Sequence, residues 1–432
     1  MGKPVTHRVT LSPNTRSETM IQSNNKTIYE ALGRGPVHPF PARMAPGIAL
    51  DVLAEATRSL RVLDPMVGSG TVLALARSKG HRGIGVDNDP LAVLISKVWT
   101  MACDPGEVRD KAGEVLARAQ GIFASLPSRD AYPREADKET RRFLAYWFDP
   151  YVRRQLAALS TAINRVRDEA IRNTLWCAFS RLIITKQSGA SLAADLAHSR
   201  PHKFFERAPR KPFRNFFAEV SHVVNNSIHG NSPGRGPAPR IYEGDARTLP
   251  LTEASVDLVL TSPPYLNAID YMRCSKFSLV WMGYSVAELR RLRTESVGAD
   301  TGKGTVRDDP VIRDIMAELD LRPRLPVQHE AILSRYISDM RRAVREAARV
   351  LSPGGKAAYV IGENTIQGTY IRNSKIISAL AQLSGLRLYA RRARTLPANR
   401  RYLPPPSAEA SSAKLDARIR REVVLVFTKP VR

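Results

Sequence analysis

The residues Thr261, Ser262, Pro263, Pro264 and Tyr265 combine a stiff backbone with a hydroxyl on one side and an aromatic ring on the other. Two adjacent prolines fix φ and remove two backbone donors. What remains at the corner is acceptors: the carbonyl between the prolines and the Ser262 side-chain oxygen. Tyr265 adds a ring face. This set suits an exocyclic amino group on a planar base, the base stacked on Tyr265 and the amine hydrogens directed at the acceptors. Such an amine is a weak nucleophile, because its lone pair is delocalised into the ring. Acceptors that favour a pyramidal nitrogen free the lone pair, and a methyl sulfonium held in line is then open to direct attack.

A second group of residues suits the holder of such a sulfonium. In "LDPMVGSGT" (63–71), Gly68 and Gly70 lie in a strand-to-helix turn. Glycine there permits positive φ and close approach of a ligand to the backbone. The third glycine of a dinucleotide fingerprint is missing and no Walker lysine follows, so the turn is not an obvious phosphate cradle. Asp87 closes the next strand, 17 residues after Gly70. A carboxylate at that place accepts ribose hydroxyls. Asp245, in "YEGDAR", falls at the end of a third strand, and Asp64 ends the first. Each aspartate alone reads more readily as a turn cap. Three at successive strand ends favour a nucleoside site.

The elements that must position these groups are legible around them. Val62 and Leu63 end a short buried strand, Val72 to Lys79 reads as a helix, and "GIGV" is the next strand, ending at Asp87. This is one βαβ unit of a parallel sheet. From 104 to 235 the pattern turns helical, with Leu156, Leu159, Ile163 and Val166 at three- and four-residue spacing. That stretch ends in the basic, aromatic "HKFFERAPRKPFRNFF" and a Gly/Pro-rich linker. Residues 151–240 hold 15 Lys+Arg against 5 Asp+Glu. The α/β pattern resumes at 240 and carries the Ser-Pro-Pro-Tyr corner at the end of a fourth strand. Residues 285–328 are polar and poorly periodic. A helix then presents Ile337, Met340, Val344, Ala347 and Leu351 on one face, breaks at "SPGGK", and is followed by the buried strand "AAYVIG". "RLYARRAR" and "REVVLVFTK" read as closing antiparallel strands. The expected architecture is α/β, with a Rossmann-like sheet interrupted by a mainly helical insertion. The segments are an N-terminal arm (1–35), a first core part (36–103), the basic insertion (104–235) and a second core part (236–432).

The chain of 432 residues carries 66 Lys+Arg against 41 Asp+Glu, a formal charge of +25 and a pI near 10.4. This surplus predicts a polyanionic partner, most simply nucleic acid. No run of about 18 apolar residues reads as a membrane span, and residues 1–20 lack the apolar core of a signal peptide. Cys103, Cys177 and Cys274 stand apart with no CxxC pair, which argues against a metal site or a disulfide framework and for free thiols in a reducing cytosol.

"LDPMVGSGT", "GVDNDP", "EGDA" and "TSPPY", in that order, resemble the S-adenosylmethionine-dependent amino-methyltransferases of nucleic acid, most closely the DNA cytosine-N4/adenine-N6 group. "HPFPARMAP" (38–46) resembles that family's upstream motif, and "RVLSPGGKAAYVIGEN" and the closing hairpin resemble its later sheet. The likeness covers about 36–103 and 241–430. It implies a methyltransferase sheet and S-adenosylmethionine as cofactor. Asp64, Gly68, Gly70 and Thr71 then line its methionine part beside Pro39 and Phe40. Asp87 binds the ribose and Asp245 lies near the adenine edge. Pro65, Asn88, Ala246 and Thr261 complete the cofactor positions. Ser262, Pro263, Pro264 and Tyr265 form the amine pocket, and serine at the first of these is commoner with cytosine than with adenine.

The resemblance therefore implies a DNA methyltransferase acting on a flipped base, cytosine N4 first. Adenine N6, an RNA base amino group and a catalytically silent nucleic-acid binder are the alternatives. Carbon-5 chemistry is excluded, because it needs a nucleophilic cysteine, commonly after proline, and none of the three follows one. The expected partners are double-stranded DNA, with RNA as the alternative, and a cognate restriction endonuclease as a candidate. A cytoplasmic, nucleoid-associated place follows. Phosphate contacts are expected first from Arg391, Arg392, Arg394, Arg400 and Arg401, five arginines within residues 391–401. Lys203, Arg210 and Lys211 in the insertion and the segment 285–328 are rival contacts.

Overall fold

The computed structural model describes residues 19–20, 26–40, 43–101, 103–186, 188–194, 196, 201–228, 235–264, 266, 271–299, 309–319, 321, 324–366, 369–395 and 421–431. Seven strands form the body of one sheet: β1 (Arg61–Asp64), β2 (Arg82–Asp87), β3 (Arg240–Glu243), β4 (Val256–Thr261), β5 (Leu351–Gly362), β6 (Arg387–Thr395) and β7 (Arg421–Thr428). Their spatial order is β3-β2-β1-β4-β5-β7-β6, with Thr19–Met20 added parallel to the outer edge of β6. The pairs from β3 to β5 are parallel, and β7 runs antiparallel to both β5 and β6.

The described helices are the one-turn Ile28–Leu32 and then α1 (Pro46–Ala54), α2 (Thr71–Ser78), α3 (Pro90–Thr100), α4 (Pro105–Ser125), α5 (Lys138–Trp147), α6 (Pro150–Ile163), α7 (Glu169–Ile183), α8 (Pro212–Asn226), α9 (Met272–Leu279), α10 (Val286–Glu295), α11 (Pro310–Glu318), α12 (Val327–Val350) and α13 (Asn373–Leu383). Several start on the same chemistry. Asp89, Asp104, Asp149 and Asp309 each cap a helix whose first residue is proline. The carboxylate takes a free backbone N–H, and proline costs nothing where no donor is needed.

The central strands are apolar on both faces because helices cover both. Val62, Leu258, Leu260, Ala358, Val360, Val424 and Val426 pack toward α1 and α2. Their neighbours Leu63, Val259, Tyr359, Ile361, Leu425 and Phe427 pack toward α11, α12 and α13. A third apolar cluster joins α3 and α9 to α4–α8, with Trp99, Phe148, Phe179, Phe216 and Trp281 at its centre. The helices of 104–235 thus share a core with the sheet's own α3. Among the described residues, no helix is long and apolar enough to cross a membrane.

Three local expectations shift. Residues 285–328 contain α10 and α11, which bury Val286 and Leu289, and Ile312 and Ile315, with Leu292, Val311 and Met316 partly buried beside them. A capping box between Ser285 and Glu288 starts α10. Leu351 opens β5, opposite Val256, because α12 ends at Val350. Ile28–Leu32, inside the expected arm, is started by a capping box between Thr27 and Glu30 and closed by Gly33.

Candidate active site

The strand order reverses between β1 and β4, and ligands of open α/β sheets bind outside the carboxyl ends at such a switch point. Asp64 ends β1 and Thr261 ends β4. Thr261 Oγ1 donates to Asp64 Oδ1 at 2.7 Å, across the switch. Met66 N donates to the same oxygen at 3.2 Å. Burial pushes the Asp64 carboxyl up to about 7, the two hydrogen bonds oppose this, and the charge of Asp87 adds to it.

The turn after β1 needs its glycines. Gly68 and Gly70 have φ of +49° and +85°. A Cβ on Gly70 would stand 3.0 Å from Ser96 Oγ, and that hydroxyl is itself committed to Gly68 O at 2.8 Å. Thr71 is buried at the start of α2, which begins on this turn, and its hydroxyl lies 3.4 Å from that of Ser69. Asp87 Oδ2 accepts from Gly68 N at 2.8 Å, so the end of β2 holds the turn after β1. Its other oxygen accepts from Asp89 N at 3.0 Å. Desolvation raises the Asp87 carboxyl.

Asp89 was not singled out in the sequence, yet it adds a third buried carboxyl close to Asp87. It caps α3 through Leu91 N at 2.9 Å and accepts from Ser275 Oγ on α9 at 2.7 Å. Burial first, and the charge of Asp87 second, push it up to about 7. Among the described residues, no lysine or arginine forms an ion pair with Asp64, Asp87 or Asp89. Three crowded carboxyls without a cation fit a positively charged ligand, which lowers the cost of ionising them.

Phe40 is buried, and its ring edge lies 3.8 Å from where a Cβ on Gly68 would be, so it borders the glycine turn. It stacks on Tyr271, with ring centroids 5.6 Å apart and planes 2° from parallel. Pro39 and Pro65 flank these walls. Asn88 Nδ2 donates to Ser296 Oγ at 3.0 Å, which brings the end of α10 to the crevice. Asp245 and the buried Ala246 follow β3. The Arg247 fork grips Asp245, with Nη2 at 2.7 Å from Oδ2, and also reaches Asp339 at 2.6 Å. Burial raises the Asp245 carboxyl, but these bonds hold it below the ordinary range. The expected adenine-edge contact is thus a carboxylate already engaged within the chain.

At the corner, Ser262 and Pro264 are half-buried and Pro263 is buried. Tyr265 lies outside the described residues. Beyond it, Leu266 O accepts from Asn364 Nδ2 at 2.7 Å, and Asn373 Nδ2 bridges Gly362 O and Asn364 Oδ1 at 2.8 Å each. These two asparagines, at the end of β5 and the start of α13, fix the corner's far side. Their signal in the sequence was weak, because isolated asparagines are common at loops.

The expected phosphate contacts divide. Arg394 is buried, and its guanidinium donates to Glu422 opposite it in the β6–β7 hairpin, with Nε at 2.8 Å. Arg210 donates to the buried Glu219 at 2.6 Å, beside Arg181 at 2.6 Å. Arg394 is therefore an internal ion pair, contrary to expectation, whereas the Arg210 side chain, though paired, stays 32% exposed. Arg391 donates to Ser374 Oγ at 3.2 Å, Arg392 to Glu55 at 3.0 Å and Lys211 to Ala208 O at 2.9 Å. Lys203 is exposed. Arg400 and Arg401 lie outside the described residues.

Fold and site together define a Rossmann-like α/β protein with three close acidic groups and a Ser-Pro-Pro corner at the carboxyl ends of its parallel strands. The chain is similar to the type II methyltransferase M.MvaI of Kocuria varians, at 23% identity over 379 residues, 79% of this chain and 80% of that protein. It is also similar to the type II methyltransferase M.MjaII of Methanocaldococcus jannaschii, at 20% identity over 319 residues, 55% of this chain and 59% of that protein. Among solved structures, a TehB-like SAM-dependent methyltransferase from Corynebacterium glutamicum is 11% identical with a TM-score of 0.28, covering 88% of this chain and 86% of the other. No family model matches the chain.

Proposed function

We propose that the chain is an S-adenosylmethionine-dependent DNA methyltransferase that methylates the exocyclic amino group of a flipped base, with cytosine N4 as the first choice. The observation that carries this reading is the Asp64–Thr261 hydrogen bond at the switch point. It ties the glycine turn on β1 to the strand that ends in the Ser-Pro-Pro corner, so ligand crevice and amine acceptors share one edge. The likeness to two type II methyltransferases supports it.

S-adenosylmethionine, when bound, supplies the electrophilic methyl group. The residues of this chain do the rest. Gly68 and Gly70 admit the ligand close to the backbone, between Pro65, Thr71 and the Pro39–Phe40 wall. Asp87 accepts the ribose hydroxyls with the lone pairs that Gly68 N and Asp89 N leave open. Asp64 and Asp89 supply negative charge. Asn88 and Ala246 border the crevice, while Asp245 and Arg247 shape its rim. At the corner, Ser262 and the Pro263 carbonyl accept the amine hydrogens, and Tyr265 takes the face of the base. Bound there, the cofactor would supply the methyl group to the amine nitrogen, while Ser262 and the Pro263 carbonyl would hold the amine hydrogens and the surplus proton would pass to water. Water exclusion by Pro263 and by Phe40 keeps the electrostatics strong.

The test incubates the purified protein with labelled S-adenosylmethionine and, separately, duplex DNA and total RNA, then identifies the methylated base by mass spectrometry. N4-methylcytosine in DNA is the expected product. N6-methyladenine moves the base assignment, and label in RNA alone sinks the DNA reading. Within that assay, Tyr265→Ala is expected to lose most turnover while still binding the cofactor. Normal turnover in that variant removes the stacking role.

A further inference from the structure

We infer that an exposed row of aromatic rings and cations on α5 and the segment 201–204 is the surface on which the DNA flanking the target base lies. The row runs outward from the site. α9 follows the catalytic corner, and its Lys276 sits over the Phe143 ring of α5, 4.9 Å from the centroid. Phe143 touches Trp147 at 6.4 Å, and Trp147 meets Tyr146 edge-on at 4.9 Å. Lys203 then lies over Tyr146 at 5.3 Å, and its neighbour Phe204 meets Phe205 and His202 edge-on. Tyr146 is 55% exposed and Phe204 is 69% exposed.

Tyr146 and Phe204 give up burial that a folded chain normally takes, while Phe143 and Trp147 are half-buried against the helical core, so the two open rings flank the contact that Lys203 makes. What they contact is constrained by charge. Lys203 and Arg207 are exposed beside Phe204, and Lys138, Arg141 and Arg142 are exposed on α5, with Arg141 turned onto the Tyr132 ring; the acids there are Glu139, engaged by Arg290, and the exposed Glu206. Rings interleaved with cations suit a partner that offers π-faces and negative charge in alternation, which is the chemistry of a nucleic-acid strand with unstacked bases beside phosphates. The row is anchored to the site a second way. Val286 N at the start of α10 donates to Thr140 Oγ1 of α5 at 3.0 Å, and the other end of α10 carries Ser296, the partner of Asn88 in the crevice. A strand held on the row is therefore positioned relative to the catalytic edge by packed elements. The expected arginine-rich hairpin is the weaker surface, since Arg394 is buried there and Arg392 is paired to Glu55.

This inference rests on the DNA methyltransferase reading, and the experiment separates the two. Wild type, Lys203→Ala and the double variant Tyr146→Ala/Phe204→Ser are titrated against a fluorescein-labelled mixed-sequence DNA duplex containing a run of unpaired bases at several salt concentrations, with S-adenosylmethionine affinity and methyl transfer measured in parallel. These side chains are exposed, so the fold should survive, and near-UV circular dichroism verifies it. The double variant should bind DNA at least about fivefold more weakly, from the loss of two stacking rings. Lys203→Ala should flatten the log–log salt dependence by about 0.9, the loss of one phosphate contact. Cofactor affinity should be unchanged in both. Unchanged DNA affinity and salt slope, in a wild type that methylates DNA, overturn the surface and leave the function. No DNA binding or methylation by wild type overturns both. A wild-type dimer that the double variant dissociates, with DNA affinity intact, makes the row a self-association face and overturns the inference. Competition by RNA alone does the same.

Discussion

Asp64, Asp87 and Asp89 place three carboxyls in one crevice with no ion-paired cation among the described residues, and this has a pH signature. Unfolded, each loses its proton near pH 4. Folded and without ligand, Asp64 and Asp89 hold theirs up to about 7. Their folded values are raised, so they destabilise the ligand-free protein increasingly as pH rises from about 4 to about 7. A cationic ligand favours the ionised forms. Affinity for S-adenosylmethionine should therefore climb between about pH 5.5 and about 7.5, with protons released on binding. Calorimetry in two buffers of different ionisation heat reads both quantities. Affinity that is flat or falling over this range removes the cluster from cofactor binding, and Asp64→Asn should reduce the slope. Asp87 does a different job, since it also anchors Gly68. Asp87→Ala should weaken the cofactor by about tenfold or more, through lost hydrogen bonds to a charged acceptor. An isotherm matching wild type would remove the ribose role.

The β6–β7 hairpin shows what an element does to a residue's meaning. Arg394 reads in the sequence as one of five clustered arginines, yet the register of β7 sets Glu422 directly opposite it. Removing one partner of a buried pair strands the other, at about 3 kcal/mol. Arg394→Met should lower unfolding stability by about that much and leave DNA affinity alone. Arg392→Ala should cost less than about 1 kcal/mol, because its pair with Glu55 is partly exposed. Urea titration of both variants checks the contrast, and equal losses contradict it. The same elements explain what was readable. The runs VLD, GIGV, DLVL and AAYVIG announced central strands because both faces are buried, and each strand end then located an acid or the Ser-Pro-Pro corner. α10 and α11 escaped notice because each is short, with three or four large apolar residues inside a stretch that is otherwise polar. Arg394–Glu422 and Asp89–Ser275 escaped because their partners lie 28 and 186 residues away. A sequence shows residue types, whereas pairing at such separations is decided by register and packing.

At the scale of the whole molecule, the helices of 104–235 have a task visible at residues 34–40, which they hold from several sides. Asn226 Oδ1 accepts from Gly35 N at 2.6 Å, Arg181 donates to Val37 O at 3.1 Å, and the buried His38 shares a 2.9 Å hydrogen bond with Ser180 Oγ. Burial, with Arg181 nearby, pushes the His38 imidazole well below its ordinary range, so the contact is one of a neutral ring. Two residues on is Phe40, the wall beside the glycine turn. The clamp depends on Glu219, which faces both Arg181 and Arg210 and is nearly buried. Glu219→Gln leaves two guanidiniums around a neutral amide, so Arg181 should leave its place under Val37 and Phe40 should lose its fixed position. The expected outcome is a melting temperature lowered by several degrees, from roughly 3 kcal/mol of lost pairing. Alongside it, S-adenosylmethionine affinity should fall severalfold, measured well below the transition, although Glu219 belongs to α8 and not to the crevice. A variant that melts early yet binds the cofactor like wild type would show that the helices stabilise the chain without shaping the wall. One that loses both shows that a basic helical block, whatever it does for DNA, is needed to complete the cofactor site.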